Sequence, residues 1–316
     1  MTNARTITDP EGVQVRRAGS WKYILNDFAQ LIKFRLTISV TFSCSMTYLI
    51  GLKYLNSGDT LTGFDWGAWF NLVFGGFLVT AAAGCLNEVI EVKTDALMDR
   101  TRNRPLPAGR LTTGQGLVIA MIMSLAGTKI LSSISLVIGL LSFVSILVYA
   151  FIYTPLKSRT RFAVLVGAFP GAFPPLIGYL AAVHQNPVLH RENILLGVIV
   201  FLFQFIWQFP HFWAIAWSAY NDYSKAGIYL LPDRKQSRKS AVIIFISALA
   251  LILVGISPGL FGILSAWAVG VIFMLGLVFL WSAAKLILEP SRNNARQLMF
   301  NSLFYLPAFH LVLLFC

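Results

Sequence analysis

Nine stretches of this chain are long and apolar enough to cross a lipid bilayer, and that constrains its fold more than any other feature. A membrane helix needs roughly 20 apolar residues, because the hydrocarbon core is about 30 Å thick and a helix rises 1.5 Å per residue. Candidate spans fall at about 36–54, 67–87, 114–132, 134–154, 162–183, 194–220, 240–258, 261–288 and 297–316, the third and fourth divided only around Ser132 and Ser133. Composition agrees: 57% of the 316 residues are hydrophobic and 12% charged, about half the charged share of a soluble protein. A disordered chain is excluded by the scarcity of charge, and a soluble globule could not hide so much apolar surface. Cys44, Cys85 and Cys316 lie far apart in apolar runs. They read as packing residues, not as a disulfide framework. The expected fold class is all-α, a polytopic membrane protein with nine transmembrane helices.

Charge orients the spans. A formal net charge of +12 would suggest nucleic acid in a soluble chain. In a membrane chain it reads as topology, since basic residues stay in cytoplasmic loops. All the Lys and Arg residues except Lys53, Lys129 and Arg191 fall ahead of span one or around the ends of spans two, four, six and eight. Arg5, Arg16 and Arg17 open that series. The N-terminus is thus expected in the cytoplasm and the C-terminus outside. Residues 1–35 read as a cytoplasmic segment and 36–316 as a single transmembrane domain. Trp21, Ile24, Leu25, Phe28, Leu31 and Ile32 follow helical spacing while Asn26, Asp27 and Lys33 fall elsewhere, the pattern of an interfacial helix lying on the membrane. Residues 1–20 lack an apolar run, and Asp9 and Glu11 argue against a long transit peptide, so a bacterial inner membrane is the simpler location.

Ten of the 13 acidic residues share the basic side, four of them (Glu88, Glu91, Asp95 and Asp99) in NEVIEVKTDALMD, Asn87 to Asp99. Asn87, Glu91 and Asp95 are spaced i, i+4, i+8. If span two continues as a helix they project from nearly one face, and Asp99 would extend the row. Oxygen ligands in a row suit a hard cation such as Mg²⁺. RTRNRPLPAGR comes directly after, and its Arg100, Arg102, Arg104 and Arg110 can grip phosphate bidentately. Metal-type acids beside phosphate-type arginines form a candidate diphosphate site; an ordinary solvated loop is the competing reading. A thinner cluster, Asn221, Asp222 and Lys225, lies just after span six, within which Gln208 and His211 are polar residues at membrane depth. His211 reads either as a functional group or as an interhelical hydrogen bonder. Span five, with Pro170, Pro174, Pro175 and several glycines, is expected to be broken or kinked. His184, His190 and His310 carry no assigned role.

These segments together resemble the UbiA superfamily of intramembrane prenyltransferases, and within it the branch that acts on heme. The resemblance runs over roughly residues 30–316. Its most specific block is NEVIEVKTDALMDRTRNRPLPAGR, succeeded in order by YTPLK from Tyr153, WQFPHFWA from Trp207, DYSKAGIYLLP from Asp222, and YLP from Tyr305. Three features depart from the superfamily pattern. Glu88 and Glu91 stand where many members have Asp, the second motif keeps one acid (Asp222), and Phe34 stands where proline is common in a KPR element. The resemblance implies a UbiA-like bundle that transfers a farnesyl group from farnesyl diphosphate to a vinyl group of protoheme IX. It implies Mg²⁺, with Mn²⁺ able to substitute, held by Glu91, Asp95 and Asp222 with help from Asn87. Arg100, Arg104, Tyr153, Lys157 and Lys225 would bind substrate, and His211 is the candidate heme contact or axial ligand. A heme A synthase or heme-copper oxidase assembly route is the implied recipient of the product. Two alternatives stay open: a sister prenyltransferase with an aromatic or other tetrapyrrole acceptor, and a secondary transporter, for which a broken span and an intramembrane His are typical pointers.

Overall fold

Apolar length becomes helix along nearly the whole chain. The computed structural model describes residues 7–8, 14–15, 21–56, 64–185 and 191–316; Arg5, Arg16, Arg17, Asp9, Glu11 and His190 lie outside them. A short helix α1 (Trp21–Leu31) precedes α2 (Phe34–Leu55), α3 (Trp66–Asp95), α4 (Thr113–Ile134), α5 (Leu136–Leu156), α6 (Ala163–Gln185) and α7 (Arg191–Ser218). A one-turn-and-a-half α8 (Tyr220–Lys225) then leads to α9 (Arg238–Leu260), α10 (Ala266–Leu288) and α11 (Arg292–Phe315). All of these except α1 and α8 are long and apolar enough to span a bilayer, nine among the described residues. The only extended pairing there is two residues long, Ile7–Thr8 against Gln14–Val15.

Local chemistry sets the ends. Asp65 caps α3 by accepting from the amides of Gly67 (2.8 Å) and Ala68 (3.1 Å), and Thr112 forms a reciprocal capping box with Gln115 at the start of α4. The break between α4 and α5 falls at Ser135, whose extended backbone (φ −159°) ends one helix and starts the next. Side chains such as Leu125, Leu136, Phe273 and Phe304 are exposed, as lipid-facing residues must be. Trp21, Ile24, Leu25 and Phe28 of α1 are exposed too, the surface an interfacial helix would press into the bilayer.

Two apolar cores lie side by side, one among α2 to α6 and one chiefly among α7, α9, α10 and α11. Glycines bring their helices together. A Cβ on Gly178 of α6 would lie 2.0 Å from the Cys44 carbonyl oxygen of α2, and one on Gly171 would lie 1.9 Å from the Gln208 Oε1 of α7. Of the break or kink expected in span five, a break is not found: α6 runs as one helix through Pro170, Pro174 and Pro175. Pro174 has no N–H for the Pro170 carbonyl, and Ser145 donates to that oxygen instead at 3.3 Å. The irregular backbone sits on α5, whose segment Val148–Tyr153 is a π-helix.

Candidate active site

Asn87, Glu91 and Asp95 emerge from the last turns of α3, on one face as their spacing requires, and all three are buried. Asn87 Nδ2 donates to Glu91 Oε2 (2.8 Å) and to Thr154 Oγ1 of α5 (3.0 Å). Glu91 also pairs with Lys157, whose Nζ lies 2.6 Å from Oε1 and 2.8 Å from Oε2. Asp95 accepts from Arg104 Nη1 at 2.7 Å, because the chain turns back on itself after the helix ends. Asp99 does not extend the row. The helix stops at Asp95, and Asp99 stands exposed, pairing instead with Lys225 and Arg102.

The π-helical segment delivers the second wall. An extra residue in the turn rotates the remainder of the helix, and such insertions recur at functional sites. Here the Thr154 amide and hydroxyl both donate to the Tyr149 carbonyl. Tyr149 and Tyr153 pack with ring centroids 5.2 Å apart, and Lys157 Nζ lies 5.1 Å from the Tyr153 ring centre. Gly167 of α6 leaves room for that ring, since a Cβ there would meet it at 2.7 Å. Burial works against the Lys157 charge, but the Glu91 carboxylate, with Tyr149 and Tyr223, more than offsets it and raises the ammonium above its ordinary value.

Lys33 completes the cluster; it opens the KPR-like element that departs from the family pattern at Phe34, but it is not among the expected site residues. It occupies the corner between α1 and α2 in a left-handed conformation (φ 49°, ψ 50°), uncommon for a residue with a Cβ. That corner turns the side chain inward, where Nζ donates to Asn87 Oδ1. Burial, then the charges of Arg104 and Lys157, pull Lys33 down to about 7. Three cations, Lys33, Arg104 and Lys157, therefore converge where two carboxylates and one amide stand. Its sequence signals are its place at the end of an amphipathic segment and at the head of the KPR-like element.

Asp222 and Lys225 come from the distant α8. Asp222 accepts from the backbone amides of Asp99 (3.3 Å) and Arg100 (3.1 Å), and Lys225 pairs with Asp99 and, at 3.5 Å, with Asp222. Lys225 is raised and Asp99 lowered, each by its bond to the other. The Arg100 guanidinium packs 4.9 Å from the centre of the Tyr223 ring. The two acidic motifs are thus joined through the Arg-rich loop. Glu88 holds that loop from the other side of α3, its buried Oε1 accepting from the Leu106 amide at 3.2 Å. Among the described residues, no three His, Cys, Asp or Glu side chains close into a metal cage.

His211 sits apart, in α7. Its Nδ1 is 2.7 Å from Ser302 Oγ of α11, and its ring stacks on Trp207 with centroids 4.4 Å apart. Trp207 Nε1 donates to the Ser302 carbonyl at 2.8 Å, so the pair is fixed to α11. With Nδ1 engaged, Nε2 is the nitrogen left for a ligand.

Residues 47–306 match the UbiA prenyltransferase family. A protoheme IX farnesyltransferase of Cytophaga hutchinsonii is 42% identical over 294 residues, covering 89% of this chain and 93% of that one. Its counterpart in Christiangramia forsetii is 40% identical, with 92% of each chain covered. A solved structure of digeranylgeranylglyceryl phosphate synthase superposes with a TM-score of 0.73 at 17% identity, covering 92% of this chain and 98% of that one. A UbiA homologue from Archaeoglobus fulgidus bound to GPP and Mg²⁺ gives 0.61 at 12% identity, over 91% and 99% of the two chains. At those identities the structures speak for the fold alone. The chain belongs to the UbiA prenyltransferase family, and along nearly its whole length it is similar to that family's protoheme IX farnesyltransferases.

Proposed function

We propose that this chain transfers the farnesyl group of farnesyl diphosphate to a vinyl group of protoheme IX, with addition of water, to make heme O. The reaction would take place at the cytoplasmic face of a bacterial inner membrane. The observation that carries this reading is the convergence of Lys33, Arg104 and Lys157 on Asn87, Glu91 and Asp95 at the end of the bundle that bears most of the basic residues. Heme-named relatives of 42% and 40% identity support the acceptor.

Each carboxylate in the cluster already has a cationic partner, so the cluster does not call for a bare cation. It suits a metal–diphosphate unit, which brings positive charge for Glu91 and Asp95 and anionic oxygens for Lys33, Arg104 and Lys157. Mg²⁺ commonly uses only one or two protein carboxylates and takes its remaining ligands from water and phosphate, so a closed cage is not required. Glu91 and Asp95, helped by Asn87 and across the mouth by Asp222, would hold it. Bound there, it would supply Lewis-acid stabilisation of the leaving diphosphate. Mn²⁺ offers the same oxygen preference.

The chain's own residues account for the rest. Lys33, Arg104 and Lys157 stabilise the charge that gathers on the diphosphate as its bond to farnesyl C1 breaks and the electron pair leaves with oxygen. Tyr149 and Tyr153, packed on each other next to Lys157, would shelter an allylic cation from water. The vinyl π electrons then form the bond to C1. Water adds to the carbon left electron-poor and loses a proton, giving a hydroxyethylfarnesyl side chain. His211 would contact the macrocycle from α7. Handing the product to a heme A synthase or an oxidase assembly partner is part of the same proposal. The test is to supply membranes containing the chain with protoheme, farnesyl diphosphate and Mg²⁺, then weigh the extracted hemes. A product heavier by farnesyl plus water, absent with EDTA and with Asp95→Ala, supports the reading; unmodified heme from folded, metal-replete protein overturns it.

A further inference from the structure

Beside the acidic mouth lies a surface cavity of about 190 Å³, formed where the α5–α6 turn meets the α8–α9 connection. Lys157, Arg159 and Arg161 line it from one side, and Gly227, Tyr229 and Arg234 from the other. Lys157 belongs to this cavity and to the diphosphate cluster alike, so the two adjoin. Arg161 Nη1 donates to the Pro232 carbonyl at 2.8 Å and ties the two connections together. Arg234 is held left-handed (φ 58°) by its amide bond to the Leu231 carbonyl (2.8 Å) and by Tyr220 Oη donating to its own carbonyl (3.3 Å). Backbone strain of this kind in a residue with a Cβ is concentrated at functional sites.

Basic loops are ordinary at this end of a membrane bundle, but these arginines differ from their neighbours. Arg102, Arg104 and Arg110 each pair with a carboxylate. Among the described residues Arg159, Arg161 and Arg234 pair with none, and the nearest acid in sequence, Asp233, accepts from Ser237 Oγ instead. Three guanidinium groups without acids around one concavity call for an anionic ligand, and carboxylates match their fork geometry.

We propose that this cavity holds the carboxylate edge of the acceptor, the two propionates of a dicarboxylate tetrapyrrole. The inference rests on the heme acceptor proposed above. Protoheme carries both carboxylates on one edge and its vinyl groups across the ring. Anchoring the carboxylates at the aqueous surface therefore directs the vinyl edge away from that surface and into the bundle. The diphosphate already has Lys33, Arg104 and Lys157 to match its charge, which leaves the neighbouring cavity for a different anion.

Arg159→Gln with Arg234→Asn is the variant of choice, because Asn tolerates the left-handed backbone and Arg161 keeps its structural bond. Both proteins, in nanodiscs of zwitterionic lipid, are assayed with protoheme and with protoheme dimethyl ester. Wild type should show a KM for the ester about tenfold above that for protoheme, the scale of one or two charge-assisted hydrogen bonds at a wet surface. The double variant should raise KM for protoheme to the ester's value while leaving the ester, kcat and the KM for farnesyl diphosphate unchanged. Equal losses with acid and ester, a raised KM for farnesyl diphosphate, or a defect seen only with anionic lipid would each overturn the proposal. Soret titration of protoheme and ester without farnesyl diphosphate separates the two claims. A chain that binds protoheme tenfold more tightly than the ester but transfers nothing loses the reaction and keeps the cavity. One that binds both alike loses the cavity.

Discussion

Glu91 and Lys157 lie 66 residues apart in sequence and meet at 2.6 Å, with side chains 10% and 12% exposed. Removing one member of a buried pair strands the other charge, at a cost of about 3–5 kcal/mol when burial is complete. This pair opens toward the mouth, so the lower bound applies: Glu91→Gln should lose about 3 kcal/mol, a fall in Tm of roughly 4–5 °C for a chain of this size. Lys157→Met should lose less, about 2 kcal/mol, since Asn87 still donates to Glu91 and Lys33 lies within its field. The double variant leaves no stranded charge and should return to within about 1 kcal/mol of wild type. All three should lose prenyl transfer, because the double variant restores stability without restoring the groups that engage metal and phosphate. Thermal unfolding of detergent-solubilised protein, monitored by tryptophan fluorescence and paired with a farnesyl-transfer assay, measures both. If the double variant falls by the sum of the singles, the two residues do not act as a pair and the architecture of the mouth is wrong.

Lys33, held near pKa 7 in the free protein, should regain its proton when a diphosphate arrives. Binding then takes up a proton above pH 7, so affinity for farnesyl diphosphate should fall by up to tenfold per pH unit as the pH rises past that point. Lys33→Met should bind more weakly at pH 6 and lose this slope, which equilibrium binding at several pH values will show. Asp222→Ala frees the amides of Asp99 and Arg100 and should raise the KM for farnesyl diphosphate about tenfold with little change in Tm; an unchanged KM would remove Asp222 from the site. Gly178→Ala drives a Cβ to 2.0 Å from the Cys44 carbonyl oxygen and should cost about 3 kcal/mol or more through separation of α2 from α6. Gly84→Ala, whose nearest neighbour would be the Lys33 side chain at 3.4 Å, is the control that should not lower Tm, since alanine is the better residue inside a helix.

Bilayer thickness makes the spans legible, because it fixes a length that few soluble helices need. The acidic row is legible for an equally simple reason: Asn87, Glu91 and Asp95 obey the period of the helix they end. Asp99 obeys it too, but the helix stops at Asp95, where Arg104 and the Thr101 hydroxyl fold back onto the same residue, a turn that side-chain periodicity does not register. Lys33 escapes notice because its role depends on one left-handed residue at a helix corner, and the KPR-like element it opens, altered at Phe34, does not by itself say that the side chain turns inward. The prolines of α6 point to a break that does not occur, since Ser145, from another helix, answers the carbonyl that Pro174 leaves free. The π-helical turn of α5 likewise leaves no signature, although it brings Tyr149, Tyr153 and Lys157 to the mouth.

The most direct test of the account offers purified protein in nanodiscs farnesyl diphosphate and Mg²⁺ together with equimolar protoheme and 4-hydroxybenzoate, and weighs every product. The account predicts a single new species, heme heavier by one farnesyl and one water, with the benzoate untouched. Farnesylated benzoate beside unmodified heme would contradict it.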